Sequence, residues 1–524
     1  MNMTWGDVPA ASAGVRRGLA GRPPCRAFVG IAIAILAPLF VTGCAVGPDF
    51  SKPAAPDISS YAAHPAATTA SSANVVGGEA QHFNRGGEIP ADWWTLFHST
   101  ALNALIEQSL KSNPDLEAAQ AALSVARENA LAGKGSNVPA VSAGMSASRQ
   151  QDPPGALAPV PSNNAFLYNL FTPQVSVSYV PDVFGLNRRS VESLQAQEQA
   201  VRFQAIAARV TLTANVVVAA IQQAALQAQV DATRRMIDAN TRMLGILRYQ
   251  SAKGYAGRLD VAAQESQLAQ VVATLPPLLK QLAQQHDLLA VLAGQFPSQL
   301  PDGKFELSSL HLPQDLPLSL PSTLVQQRPD VRQAEANLHA ASAQVGVAIA
   351  NRLPNISLTA NAGSTALAMG QLFKAGTGFW NLGADVAAPI FQGGSLRHQE
   401  RAAKAAYAQA AAQYRSTVLT AFQNVADTLA ALEQDAEGLK AAASAADAAK
   451  VTLDLSQRQW KDGYAGYLSV LNAEQAYQQS QINLVQAQAN RYADTAALYQ
   501  ALGGGWWQRG DTAHAVPTRD ADEK

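Results

Sequence analysis

Apolar and small residues recur every three or four positions over four stretches of unusual length, about Leu186–Lys253, Leu259–Ala293, Leu396–Asp462 and Leu468–Leu502. In the first, Val210, Ala214, Val217, Ile221 and Ala225 fall on one helical face. A helix of about 65 residues is about 100 Å long, whereas helices of ordinary compact domains average about 11 residues. The pattern therefore predicts long coiled-coil hairpins. Alanine at many seam positions permits close approach on both sides, as a helical wall requires. Pro276 and Pro277 predict a kink or break.

Elsewhere the period changes to two. Phe171, Val175, Val177 and Tyr179 alternate with Thr172, Gln174, Ser176 and Ser178. Ile356, Leu358, Ala360 and Ala362 alternate with Ser357, Thr359, Asn361 and Gly363. Trp380, Leu382, Ala384 and Val386 alternate with Phe379, Asn381, Gly383 and Asp385. A fourth segment, Val138–Ser148, is weaker and rich in small residues. Each is about ten residues, the length that crosses a bilayer when tilted. Period alone equally fits an amphipathic sheet on a soluble core. Two details favour the membrane: the polar faces are small and almost uncharged, and the loops QQDPPGALAPVPSNNAF and STALAMGQLFKAGTG are long.

These elements occur twice in one order. NPDL (Asn113–Leu116) matches RPDV (Arg328–Val331), Pro139 matches Pro354, and VPDVFG (Val180–Gly185) parallels APIFQGG (Ala388–Gly394). GYAG closes each series, at Gly254–Gly257 and again at Gly463–Gly466. The chain reads as a tandem duplication. Each copy has a helix (Thr100–Gly133 and Pro321–Arg352), two strands, a very long helix, a GYAG turn and a second helix. The expected organisation is 1–43 leader, 44–95 extended segment, 96–320 first repeat, 321–506 second repeat and 507–524 tail. The Ala/Ser/Thr-rich stretch Ser59–Gly87 is expected to be extended or poorly ordered.

The charged fraction is 15% and the net charge −1, so no nucleic-acid partner or polybasic patch is indicated. Cys25 and Cys44 are the two cysteines of the 524 residues, which excludes a disulfide framework in the main body. Arg16, Arg17, Arg22 and Arg26 precede the apolar run Ala27–Val41, and VTGC follows. This is a secretory leader ending in a motif that resembles a lipoprotein cleavage box, with Cys44 as the lipidated residue; an ordinary cleavage site beside an incidental cysteine is the other reading. No other stretch is apolar and long enough to cross a membrane as a helix, so strands must do so. The eight histidines show no HExxH spacing, and the chain has no GxSxG elbow or P-loop. Neither an enzyme nor a bound cofactor or metal is indicated. Trp93, Trp94, Trp506 and Trp507 read as packing or interfacial anchors.

Four strands cannot close on themselves, and lipid does not tolerate an open edge. Two chains would supply eight strands, which side chains usually fill, and three would supply twelve and leave room for water. If the purpose is a pore, a trimer is favoured.

The motifs GCAVGPDFSKP, RPDVRQAEANL, PIFQGGSLR and YQALGGGWW resemble the outer-membrane factor (TolC-like) family, nearest its OprM- and NodT-type efflux lipoproteins, over about Cys44–Trp507. The resemblance implies a mostly α fold with transmembrane β: a duplicated protomer giving four strands to a shared twelve-stranded trimeric barrel, plus a periplasmic α-helical coiled-coil barrel. It implies an equatorial belt built partly from Phe296–Pro321 and Gly503–Gly505. It implies a homotrimeric exit duct for drugs or other small molecules, anchored in the outer membrane with a large periplasmic part. The implied partners are a periplasmic adaptor and an inner-membrane RND-type pump. The GYAG turns then become hairpin tips where adaptors dock and the tunnel closes. Gly254, Gly257, Arg258 and Asp260 form the first; Gly463, Tyr464, Gly466, Tyr467, Ser469 and Asn472 form the second. The glycines could equally serve only as turn formers. Family members carry carboxylates on the inner tip where this chain has Ser469 and Asn472, so an acidic ring is not expected. Closure by Tyr464, Tyr467, Leu468 and Leu471, with hydrogen bonds from Asn472, is expected instead. The rival to a channel is a non-conducting coiled-coil scaffold lipoprotein, for which the four alternating strands would have no use.

Overall fold

A computed structural model describes residues 45–61, 67–153, 166–301, 305–509 of the chain. The leader, Cys25, Cys44, most of the first interstrand loop and residues 510–524 lie outside the described residues. The two copies are plain in the element lengths. In copy one, α1 (Thr100–Ser112) and α2 (Pro114–Lys134) precede β2 (Ala140–Gln151) and β3 (Leu167–Tyr179), then α3 (Leu186–Ala252) and α4 (Arg258–Leu292). In copy two, α5 (Pro321–Gln327) and α6 (Pro329–Ala350) precede β5 (Asn355–Ser364) and β6 (Gly378–Ala387), then α7 (Ser395–Lys461) and α8 (Tyr467–Ala501). Both α3 and α7 have 67 residues, and both α4 and α8 have 35. Two short strands outside the repeats, β1 (His82–Arg85) and β4 (Asp315–Leu318), pair in parallel.

The first helix of each copy differs from the sequence expectation, because it is broken at the NPDL and RPDV landmarks. A residue before proline is driven out of helical geometry, and Asn113 (ψ 122°) and Arg328 (ψ 123°) are both extended. Asn113 then caps the new helix through its side-chain oxygen, which accepts from the Asp115 and Leu116 amides at 3.0 and 3.2 Å. Pro276 and Pro277 have the opposite outcome. The helix α4 runs through both without interruption. Both prolines are exposed, as are Val272 and Ala273, whose carbonyls lose their usual donors there.

The four long strands form one antiparallel sheet, ordered β2-β3-β5-β6. Directly opposed residues share a face, and the register aligns the apolar ones throughout. Val141 opposes Val177, Val177 opposes Ala360, and Ala360 opposes Leu382; Ala143, Val175, Ala362 and Trp380 form the next row. The other face carries Ser142, Ser176, Asn361 and Asn381, with Asn361 Nδ2 donating to Asn381 Oδ1 at 2.8 Å. The apolar face is bare: Trp380, Leu382 and Val386 are 76, 75 and 68% exposed. Among the described residues both outer strands, β2 and β6, have a free edge.

At mid-length the helices meet a compact belt, which holds the main core. Ile89, Trp93, Trp94 and Phe97 come from the N-terminal segment, Leu307, Leu310, Leu312 and Leu316 from the inter-repeat linker, and Tyr492, Tyr499 and Leu502 from α8. Trp93 is fully buried and stacked on Tyr499, ring centres 5.0 Å apart. Trp506 donates its indole N–H to the Gln327 carbonyl at 2.6 Å. These tryptophans are packing residues. The described part of Ser59–Gly87, expected to be extended or poorly ordered, contains the extended strand β1 and is tied to the belt. Buried Arg491 donates to Thr69 Oγ1 (3.0 Å) and to the Glu79 carbonyl, and Gln81 donates to Pro313 O and Thr495 Oγ1, both at 3.0 Å. A low-complexity strand is thus held by side chains remote in sequence. Burial pulls the Arg491 pKa down and pushes Asp435 up to about 7, helped by the hydrogen bond that protonated Asp435 donates to the Asp494 carboxylate.

The middle of α3, Val210–Thr233, is buried along this belt. One window of α3 is apolar and long enough to cross a membrane, contrary to the sequence reading, yet half of it is buried against protein. Its hydrophobicity is explained by packing on several sides.

Loss of the Asn113 cap should be measurable. Asn113→Ala is expected to cost about 1 kcal/mol, read as a lower thermal midpoint, while Asn103→Ala, inside α1 and without a capping role, should not lower the midpoint.

Candidate functional site: the hairpin tips

The GYAG turns are two copies of one hydrogen-bonded structure. Gly254 and Gly463 both sit at φ 80°, a left-handed conformation that glycine adopts without penalty. The Gly254 amide donates to Ser251 O at 3.0 Å and Tyr255 to Gln250 O at 2.9 Å. The Gly463 amide likewise donates to Trp460 O at 3.1 Å and Tyr464 to Gln459 O at 2.8 Å. Each long helix thus ends in a Schellman motif. The fourth residue of each tetrad, Gly257 or Gly466, is extended and starts the next helix.

The copies diverge at the third residue of that helix. Asp260 accepts from the Gly257 amide at 3.2 Å, placing a carboxylate where the helix dipole favours it. Ser469, its counterpart, donates instead to the Gly466 carbonyl at 2.7 Å. Arg258, Ser469 and Asn472 are exposed, and so are Tyr255 (85%) and Tyr464 (86%) at the two apices.

The structure separates the four residues expected to close the tunnel. Tyr464 and Leu468 (66% exposed) are free, but Tyr467 (3%) and Leu471 (9%) are buried with Leu247 and Val470 in a small core between the hairpins. Tyr467 lies edge-on to Trp460 and donates its hydroxyl to Gln264 Oε1. Tyr467 and Leu471 are therefore cement between hairpins, since their side chains meet α3 and α4 of copy one. Sequence reasoning also missed the polar ladder that joins the hairpins. Gln264 Nε2 donates to Asn240 O and Oδ1, both at 2.9 Å, and Gln475 Nε2 donates to Gln267 Oε1 at 2.8 Å. In helices so rich in glutamine, nothing in the pattern distinguishes a buried amide from a solvated one.

Glu474 stands next to Gln475 of this ladder. Burial pushes its carboxyl up to about 7, opposed in part by a hydrogen bond from Gln457. One carboxyl oxygen is buried with no partner among the described residues. The tip therefore contains an acid, on the inside of the hairpin wall.

The outer membrane efflux protein family model matches residues 105–295 and 320–504, one span for each repeat. The chain is 32% identical to a probable efflux pump outer membrane protein, TtgC, of Pseudomonas putida over 473 residues, 89% of this chain and 94% of that one. It is 30% identical to a pyoverdine export outer membrane protein, OpmQ, of Pseudomonas putida over 421 residues, 79% of this chain and 88% of that one. Among solved structures it resembles the outer-membrane channel OprN, with a TM-score of 0.79 and 27% identity, covering 88% of this chain and all of that one. The chain belongs to the outer membrane efflux protein family. It is a channel subunit of the outer membrane and not an enzyme.

A raised carboxyl makes tip stability depend on pH. Between the ordinary glutamate value of about 4.3 and about pH 7, the folded tip holds a proton that the unfolded chain has released. Stability is therefore full below that window and is lost as pH rises through it. Amide exchange over 467–475, corrected for intrinsic rates, should be slower at about pH 5.5 than at about pH 8. Glu474→Gln should abolish the difference; an unchanged difference would mean that another group titrates.

Proposed function

We propose that three copies of this chain form a passive exit duct, which receives small molecules from an inner-membrane RND-type pump through a periplasmic adaptor. One observation carries the trimer. Inside the chain, repeat one joins repeat two by β3 pairing with β5 and by α6 packing between α3 and α7. The equivalent junction on the other side is missing. Among the described residues, strands β6 and β2 have free edges, and α2 packs on α3 with no second long helix on its outer flank. Val125 (62% exposed) on α2 and Leu419 (72%) on α7 stand uncovered there.

A second copy related by a head-to-tail rotation supplies both missing partners: its β2 for β6, and its α2 for α7. Such an interface closes into a ring when the rotation divides the circle. Six repeats, from three chains, give twelve strands, wide enough for a wet lumen. The bare apolar face then meets lipid, and the face of serine, threonine, asparagine and glycine lines the pore. A scaffold that does not cross the membrane would leave that face in water.

Cys44, one residue before the described chain, is the acylated anchor in this reading. The exposed tip residues Gly254, Gly257, Arg258, Gly463, Tyr464, Gly466, Ser469 and Asn472 form the adaptor-docking and gating rim, with Asp260 capping within it. Tyr464 and Leu468 project from the second tip, and Asn472 is placed one turn above. No carboxylate accompanies them at positions 469 and 472, so the constriction is made by aromatic and amide groups and has little charge selectivity.

Detergent-extracted protein in planar bilayers should show stable conductance from trimers; protein that is trimeric but inert would favour the scaffold. Tyr464→Ala and Asn472→Ala should each raise single-channel conductance or open probability. Unchanged recordings in both would remove the second tip as the gate.

A further inference from the structure

The strand-to-helix junctions enclose a cleft of about 420 Å³ that the channel function does not use. Its walls include Val183, Phe184, Leu186, Leu353, Pro354 and Ile356, all half-buried. Asp182, the charged residue on its lining, is already engaged: its carboxylate accepts from the Asn187 and Arg188 amides at 3.0 and 2.9 Å. The cleft therefore offers apolar surface beside an engaged Asp182, with Asn187, Asn351, Asn355 and Gln392 also on its lining. Its height is set by the fold, since the ends of β3, β5 and β6 bound one side and the start of α3 and the end of α6 bound the other. That is where the lipid-facing sheet stops.

The described chain begins beside this cleft. The Val46 amide donates to Phe184 O at 3.0 Å, and a Cβ built on Gly185 would lie 2.6 Å from the Ala45 Cα. Position 44 is one Cα step further, about 3.8 Å. The strap that follows is pinned at several points. Buried Arg189 donates to Val46 O (3.1 Å) and Asp49 Oδ1 (2.7 Å), Gly47 lies against Gly346, and Phe50 stacks on His339 with ring centres 4.3 Å apart. The described chain thus begins at one fixed place, with Ala45 against Gly185 and beside an apolar cleft at the end of the sheet.

We propose that this cleft is an acyl-chain site, occupied by a fatty acyl chain carried on Cys44 of the same protomer. The proposal rests on the reading of Cys44 as a lipid anchor. The chain would seal the gap between sheet and helices and fix the depth of the channel in the inner leaflet. An acyl group extending freely into bulk lipid would leave the cleft to water or to phospholipid.

The test uses full-length protein made in cells fed a clickable, photoreactive fatty acid. Intact mass establishes whether Cys44 is acylated, and irradiation followed by peptide mapping locates the acyl chain. Intramolecular adducts concentrated on 180–187 and 353–356 are expected. Arg189→Ala, which frees the strap, and Leu353→Trp, which fills the cleft, should each cause loss of those adducts with Cys44 acylation unchanged. Two variants guard against one that folds poorly. Adducts on 380–386 or on lipids alone, from acylated protein, overturn the cleft assignment and leave the anchor standing. Adducts that persist in both variants overturn it too. Unacylated Cys44 overturns the anchor and the occupant together.

Discussion

A sheet edge in lipid has backbone donors and acceptors that nothing in the solvent can satisfy. This chain carries two such edges, β2 and β6, flanking a four-stranded sheet whose apolar face has no protein cover. The sheet satisfies its backbone only when β6 finds a β2. In the proposed trimer the same head-to-tail pairing would continue below the membrane, because α7 and α2 have their uncovered flanks in the corresponding positions. One unmet backbone requirement would then set the symmetry of both the barrel and the helical wall.

Duplication supplies the geometry cheaply, since the junction between repeats inside the chain is a template for the junction between chains. It also creates a problem, because identical repeats would make adjacent hairpins equivalent. The copies have diverged where the difference matters. Helix α3 is buried along most of its middle, whereas α7 buries a single stripe from Tyr414 through Val418, Ala421, Val425, Leu432, Ala436 and Leu439 to Ala443. That stripe repeats at alternating steps of mostly three and four, as in a coiled-coil seam. At the tips, Asp260 and Ser469 occupy the same helical position with opposite hydrogen-bonding roles.

The belt explains how so slender a protomer holds together. Chain regions far apart in sequence converge there, and α8 binds three of them. Arg491 holds the segment around Thr69 and Glu79, Tyr492 donates to the Leu310 carbonyl at 2.9 Å, and Tyr499 backs Trp93. A buried guanidinium is costly unless it is well bonded, so these contacts make the position of the N-terminal segment specific. The strap of residues 45–50 repeats the device nearer the membrane through Arg189.

Much was legible before any coordinates. Periodicity of 3.6 and of 2 is a local property of the chain, and so are a glycine at a helix terminus and a repeat. The long helices, the four strands with their faces, the duplication and the GYAG turns could therefore be read from residues 254–257 and 463–466 and their neighbours. Local rules also contained one signal that was passed over, the extended residues before Pro114 and Pro329. What the tertiary structure alone decided depends on residues remote in sequence. The order given to 67–87 comes from Arg491 and Thr495, and the continuity of α4 through two prolines from the exposure of that surface. The inward turn of Tyr467 and Leu471 comes from a neighbouring hairpin about two hundred residues earlier in the chain. Pattern tells a residue which face of its own element it lies on; only the packed fold shows what that face meets.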